Sequence, residues 1–356
     1  MAAGCSSGSS SATATGQTAG AGGTANSGTA SGGTASSAGT GTPAGTASDG
    51  TGGGSGASSG AEAGSGAGTP AASGSAAAPA ADQRKVMLIA EENENYNRVI
   101  GAKSAPFINS LAARYGTATA MDAGYPSGCP SLAAYIILTS GSTQKICDDG
   151  PPISHPLKVD SVFGQVAASG RQWRGYAESM PSNCSLTNTR DGLYLVRHAP
   201  APYYLPERAH CADWDVPLGT LSSGHLHDDV AAGTLPAFSF VTPNACNDMH
   251  GASSCTKPPV ASGDAWLAQW IPAIMAGPDY TSGRLTILIV WDEGSMLSNH
   301  IPAIVISPGT RHVSDATKWT HCSTLRTVNE LLGLTPLGCA ARTTSLVQAF
   351  GLATTG

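Results

Sequence analysis

Three short apolar runs, each breaking at once into acids, amides or histidine, constrain this chain more than anything else in it. The first is Val86 to Ala90, within KVMLIAEENENYNRVIG at residues 85–101. It is too brief for a free-standing helix and suits a strand buried on both faces. Glu91, Glu92, Asn93, Glu94 and Asn95 follow at its carboxyl end, where open α/β sheets gather their ligands. The second run, Phe238 to Thr242, opens into Pro243, Asn244, Asn247, Asp248 and His250. The third, TILIVW from Thr286 to Trp291, is the strongest strand signal and ends in Asp292-Glu293-Gly294. One polar loop after a strand is ordinary. Three of matching chemistry single out Glu92 and Asn93 as ligands and leave Glu91, Glu94 and Asn95 as solvated or structural residues.

Helical patterns separate these strands. Ala105 to Tyr115 has apolar residues at helical spacing and ends at Gly116, read as a C-cap. In GYPSGCPSLAAYIILTSGST, residues 124–143, a turn-rich segment feeds an uncharged apolar run. It predicts a loop that delivers Ser131 to the start of a buried helix. Free N–H groups and the helix dipole favour an anion there, although an N-cap is the plainer role for such a serine. Asp160 to Ala168 reads as an amphipathic helix closed by Gly170, and Arg174 to Ser179 as a strand. Asp264 to Met275 reads as a helix kinked at Pro272, its tryptophans in the core. A strand at Ala303 to Ser307 and a helix at Thr324 to Leu332 complete the alternation. The expectation is an α/β fold whose central, largely parallel sheet carries helices on both faces.

All of this lies after residue 80. Before that point the chain is almost entirely Gly, Ser, Thr and Ala, with no aromatic residue, no Lys or Arg, and only Asp49 and Glu62 as charges. Such a segment buries too little to offset its ordering entropy, so residues 1–80 read as a disordered linker spanning roughly 45 to 50 Å. Ala2-Ala3-Gly4-Cys5 resembles the end of a bacterial lipobox, although the charged and apolar parts of a signal peptide do not stand before it. The expectation is an extracytoplasmic domain, secreted or tethered at the cell surface, whose one contact with a membrane is a lipid anchor at Cys5.

Residues 81–356 hold all 18 Lys and Arg and 22 of the 24 acids, a balance of 18 minus 22, or −4. That balance argues against a nucleic-acid footprint, and no apolar stretch of about 18 residues is present to span a membrane. Eight cysteines follow Cys5, at 129, 147, 184, 211, 246, 255, 322 and 339. An even number in an exported domain suggests four disulfides. Cys246 with Cys255 and Cys322 with Cys339 are the local pairings expected, and the other four cysteines stay unassigned. No Cys-x-x-Cys pair supports zinc.

Carboxylates, an amide oxygen and an imidazole on neighbouring strand ends are ligands for a divalent cation. Beside a serine, such a cation lowers the hydroxyl pKa and neutralises charge on a transferred phosphoryl group. The chemistry this suits is hydrolysis of phosphate or sulfate esters through a covalent serine intermediate.

The segments EENENYNRVIGAKSAPFINSLA, PSLAAYIILTSGST, VRHAPAPYY, FSFVTPNACNDMH, GDAWLAQWIPAI and TILIVWDEG resemble those of the phosphoesterase family of bacterial acid phosphatases and phospholipases C. The resemblance runs from about Val86 to Leu337 and implies a fold similar to alkaline phosphatase. Carried over residue by residue, it implies metal ligation by Glu92 and Asn93, with Asp292 and Glu293 as the later acidic pair, and Ser131 as nucleophile. His198, Asp248, His250 and Asp264 fall on motif positions, with catalytic or phosphate-contact roles for the two histidines and phosphate-contact or loop-anchoring roles for the two acids. Relatives usually read His-Pro-Ser-x-Pro-Asn-Tyr where this chain has Cys129-Pro130-Ser131-Leu132-Ala133-Ala134-Tyr135. The histidine and the asparagine are thus replaced by Cys129 and Ala134, and Gly251 follows His250 where relatives have Asp. The implied function is phosphomonoester hydrolysis on a phosphorylated small molecule or lipid head group. Phosphodiester cleavage of the phospholipase C kind and a weakened phosphate-binding role are the alternatives.

Overall fold

The computed structural model describes residues 83–126, 128–294 and 298–352. The linker and Cys5 lie outside the described residues. In chain order the elements are β1 Lys85–Glu91, α1 Tyr96–Val99, α2 Pro106–Arg114, β2 Gly116–Asp122, α3 Ser131–Ser140, α4 Val162–Ala168, β3 Trp173–Ala177, α5 Arg208–Trp214, β4 Asp215–Pro217, α6 His225–Ala232, β5 Phe238–Thr242, α7 Pro259–Ala276, α8 Pro278–Thr281, β6 Leu285–Trp291, β7 Ala303–Ile306, β8 Val313–Thr320 and α9 His321–Leu332.

The strands form one sheet in the order β4-β3-β5-β1-β6-β7-β2-β8. Every pairing is parallel except those of β7, which runs against both β6 and β2. Every residue of β6 is buried, as is β1 beyond Lys85. Since side chains alternate between faces, both faces of the sheet centre are covered, as the uninterrupted apolar runs predicted. Among the covering helices, α3 packs on α9 and α2 packs on α7. All ten residues of α3 are buried, which its charge-free sequence allows, and it ends on Gly141 in the left-handed region at φ 72°.

Some sequence boundaries move. α2 stops at Arg114, and Gly116 opens β2 instead of capping the helix. A Cβ on Gly116 would fall 2.3 Å from the Phe350 ring, so the glycine admits a close approach. α7 begins at Pro259, five residues before Asp264, and continues through Pro272. α9 starts at His321, three residues early, and β3 covers 173–177. Cysteines pair 129–147, 184–211, 246–255 and 322–339, the last two as expected. Among the described residues, no helix is long and apolar enough to cross a membrane.

Candidate active site

Because β1 lies between β5 and β6, the carboxyl ends that carry the polar residues are neighbours. Main-chain bonds tie them together: Glu92 N–H donates to the Asp248 carbonyl at 2.7 Å, and Asp292 N–H to the Glu91 carbonyl at 2.8 Å. Two non-glycine residues at this rim are left-handed, Asn93 at φ 50° and Met249 at φ 79°. Such positions are costly outside glycine and persist where the surroundings dictate them, often beside functional groups. Asn93 thereby sends its N–H to Asp292 Oδ1 at 3.1 Å, and the Met249 thioether receives the Trp291 indole N–H at 3.4 Å.

Glu92 is the hub. Its Oε2 accepts the Ser131 hydroxyl at 3.0 Å and the Asn93 side-chain amide at 2.9 Å. Its Oε1 stands 3.0 Å from His198 Nε2 without the alignment of a hydrogen bond. His198 Nδ1 lies 2.9 Å from Asp248 Oδ2, and Asp248 Oδ1 accepts the His250 N–H at 2.8 Å. Tyr135, one helical turn after Ser131, stacks on the His198 imidazole with centroids 5.2 Å apart and planes 2° apart, which fixes the ring. Ser131 opens α3, so the helix start faces the same cluster.

Charge in this site is unevenly compensated. Burial opposes ionisation of Glu92, but the His198 imidazole beside it prevails and holds the carboxyl down at about 2. For His198 burial is likewise outweighed, by Glu92 and Asp248, and the imidazole is raised to about 9. Asp292 is pushed well above the usual carboxylate range by burial and by Glu92. Glu293 rises to about 7 through burial and the Glu92 charge, despite the Tyr125 hydroxyl that donates to it at 2.8 Å. Carboxyls forced toward neutrality by one another mark a place with more negative charge than the protein itself balances.

The donor atoms fit a divalent cation. Asp292 Oδ2 is buried without a hydrogen-bond partner among the described residues, and Glu92 Oε1 and His198 Nε2 face each other at 3.0 Å out of hydrogen-bond alignment, whereas buried polar atoms are normally paired. Glu92, His198 and His250 each present a ligand atom within 4.8 Å of the others. Two donor sets therefore share Glu92: the expected one with Asn93, Asp292 and Glu293, and a histidine-rich one with His198 and His250, of which the sequence reading had counted only a strand-end imidazole.

Other expected residues are placed as follows. Asp264 Oδ1 accepts the Ile108 N–H at 2.8 Å in the first turn of α2, so of its two expected roles the anchoring one describes its position. Glu91 is not solvated: it is fully buried, both carboxyl oxygens lack a partner among the described residues, and burial holds its pKa well above the usual range. Glu94 is buried as well and bonds Arg98 one turn on at 2.7 Å. Cys129 is consumed by the bond to Cys147 and supplies no thiol in place of the family histidine. Ala134 is fully buried on the helix face between Ser131 and Tyr135.

Arg197 and Asp149 went unnoticed in the sequence. Arg197 Nη2 meets His250 Nε2 at 2.9 Å, its Nε lies 3.1 Å from Asp149 Oδ2, and Asp149 Oδ1 accepts the Leu132 N–H at 3.1 Å. The only available signals were the adjacency of Arg197 to His198 and the position of Asp149 two residues after a cysteine.

The model of the phosphoesterase family matches residues 101–335, about two thirds of the chain. The chain belongs to the phosphoesterase family. It is a hydrolase acting on phosphoric esters. The match begins after Glu92 and Asn93, so these two rest on the geometry above. Among relatives of this phosphoesterase, the phosphatidylinositol-3-phosphatase of Mycobacterium tuberculosis is 29% identical over 267 residues, covering 75% of this chain and 82% of that protein. An acid phosphatase of Aspergillus fumigatus is 27% identical over 232 residues, covering 61% of this chain and 50% of the fungal one, so the chain spans half of that protein's length. A crystal structure of a Vibrio parahaemolyticus protein in the alkaline phosphatase superfamily superposes with a TM-score of 0.53 at 12% identity, over 72% of this chain and 69% of that one. The phosphoesterase thus has an alkaline phosphatase-like fold.

Proposed function

We propose that this phosphoesterase is a divalent-metal-dependent phosphomonoesterase that works outside the cytoplasmic membrane with Ser131 as nucleophile. The observation that carries this reading is the hydroxyl of Ser131 at the head of α3, bonded at 3.0 Å to a buried carboxylate whose other oxygen has no hydrogen-bond partner among the described residues.

Glu92 is held ionised, so it accepts the Ser131 hydroxyl hydrogen and orients the oxygen toward an incoming phosphorus. Asp248 and the Tyr135 ring fix the plane of His198, which keeps its Nε2 on Glu92. The start of α3 lends the field of its dipole to the anion that forms there. Glu92, Asn93 and Asp292, with Glu293 or the two histidines, would hold the cation. When bound, it supplies positive charge that favours the serine alkoxide and offsets charge developing on the phosphoryl oxygens.

The substrate class is a phosphate monoester on a small molecule or a lipid head group, a choice supported by the names of the mycobacterial and fungal relatives. Four disulfides support an oxidising compartment. Purified protein assayed with p-nitrophenyl phosphate across a panel of divalent metals tests the reading. Ser131→Ala is expected to abolish turnover, and unchanged turnover in that variant would sink the nucleophile assignment.

A further inference from the structure

The start of α3 already holds an anion, supplied by the chain itself. Pro130 precedes the helix and gives no side-chain cap. The Leu132 N–H, next after the nucleophile, donates to Asp149 Oδ1 at 3.1 Å, and Asp149 Oδ2 lies 3.1 Å from Arg197 Nε. Arg197 reaches on to His250 at 2.9 Å, so one guanidinium bridges this carboxylate and the cluster around Glu92. The charge on Asp149 is felt inside that cluster, where it contributes to the rise at Glu293.

A backbone N–H beside the nucleophile and a guanidinium are the donors that an entering phosphoryl group needs, and a carboxylate presents them with a similar oxygen fork. The cross-link explains why Asp149 stays there. Cys147, two residues before Asp149, is bonded to Cys129, two residues before Ser131, and their Cα atoms are 4.4 Å apart. The loop bearing the carboxylate is therefore stitched to the loop bearing the nucleophile. The Asp149 side chain is 32% exposed, so it can turn outward without crossing the core, but the cross-link keeps it at the rim.

We propose that Asp149 is a specificity-determining residue. It yields the Leu132 N–H and Arg197 to the substrate's phosphoryl oxygens, stays beside them, and there disfavours a second negative charge. The ligand class favoured is a singly charged phosphoryl group, such as a diester or a singly protonated monoester, over a doubly charged one. Doubly charged inorganic phosphate, the product, is released more readily for the same reason. The inference rests on the reading of Ser131 as the residue that meets phosphorus.

Calorimetric titration of the full-length, metal-loaded protein in mildly alkaline buffer tests it with two inert probes of similar size: methylphosphonate, doubly charged, and dimethylphosphinate, singly charged. Asp149→Asn is expected to raise the ratio of methylphosphonate to dimethylphosphinate affinity about tenfold over wild type. Asp149→Ser is expected to move the ratio in the same direction, which guards against an effect peculiar to asparagine. A ratio unchanged in both variants overturns the proposal. If Ser131→Ala has meanwhile lost turnover, the hydrolase reading stands and only the role of Asp149 falls.

Discussion

Asp248 Oδ2 lies 2.9 Å from Nδ1 of His198 while its Oδ1 accepts the His250 N–H, so one buried carboxylate sets a histidine ring and a histidine backbone at once. Outer partners of this kind fix the orientation of the groups they hold, and their loss typically costs about 10- to 100-fold. Asp248→Asn is expected to lower kcat/KM on p-nitrophenyl phosphate by that factor while circular dichroism stays unchanged. An unaltered kcat/KM would confine Asp248 to a structural role.

Removing the metal should be visible without an activity assay. Because Glu92 Oε1 and Asp292 Oδ2 are buried with no hydrogen-bond partner among the described residues, a cation that satisfies them binds the folded state in preference to the unfolded one. At a free concentration of about 100 times Kd this stabilises by about 2.7 kcal/mol. Chelation is expected to lower the melting temperature, and re-addition of one effective cation to restore it. A melting curve indifferent to chelator and to every divalent cation tried would remove the metal from the proposal.

Ala134 shares a buried helix face with Ser131 and Tyr135, where family members usually carry asparagine. A positioned donor near a developing oxyanion contributes about 10²- to 10³-fold in rate. Ala134→Asn is expected to raise kcat by up to about that amount, and also to lower stability by about 1 to 3 kcal/mol, because the site is fully packed. Denaturant unfolding read beside kcat distinguishes this from simple overpacking, in which stability falls and turnover does not rise.

Asp215, on the edge strand β4, supplies a dependence of stability on pH. Burial raises its carboxyl from the usual range to about 8. In the unfolded chain the group ionises near pH 4, whereas in the fold it stays protonated. Its favourable contribution is therefore complete below about pH 4 and is lost as pH rises through about 8. Asp215→Asn is expected to flatten the decline in melting temperature over that interval and to exceed wild type at its upper end. A wild-type melting temperature that climbs steadily from pH 4 to 8, with the variant running parallel, would show that Asp215 is ionised in the fold.

The sheet centre and the three ligand-bearing strand ends were legible because β1, β5 and β6 are buried on both faces, which forces uninterrupted apolar runs that stop where the strands stop. β8 was not legible: VSDATKWT lies at the sheet edge with several side chains in solvent, so no apolar period marks it. β2 escaped for another reason, since its first residue, Gly116, was read as the cap of the preceding helix and lies instead under Phe350. In the candidate site, Glu92, Asn93, Ser131 and Asp292 stood beside strong local signals. Asp149 did not, because a disulfide and a main-chain amide define its position, and neither carries a pattern along the chain. Glu91 was left open between a solvated and a structural role, because a glutamate whose burial raises its pKa looks in sequence like any loop glutamate.

The reversed strand β7 has a consequence for how this enzyme tolerates change. A parallel neighbour for β6 would have required the chain to leave Asp292 and Glu293, traverse the sheet and return. Because β7 runs the other way, it begins at the rim where β6 ends beside Asp292 and Glu293. A change of chain length between Glu293 and Ala303 falls next to the acidic pair and leaves the strand order undisturbed. That stretch is the natural place to graft a new substrate preference onto an unchanged scaffold.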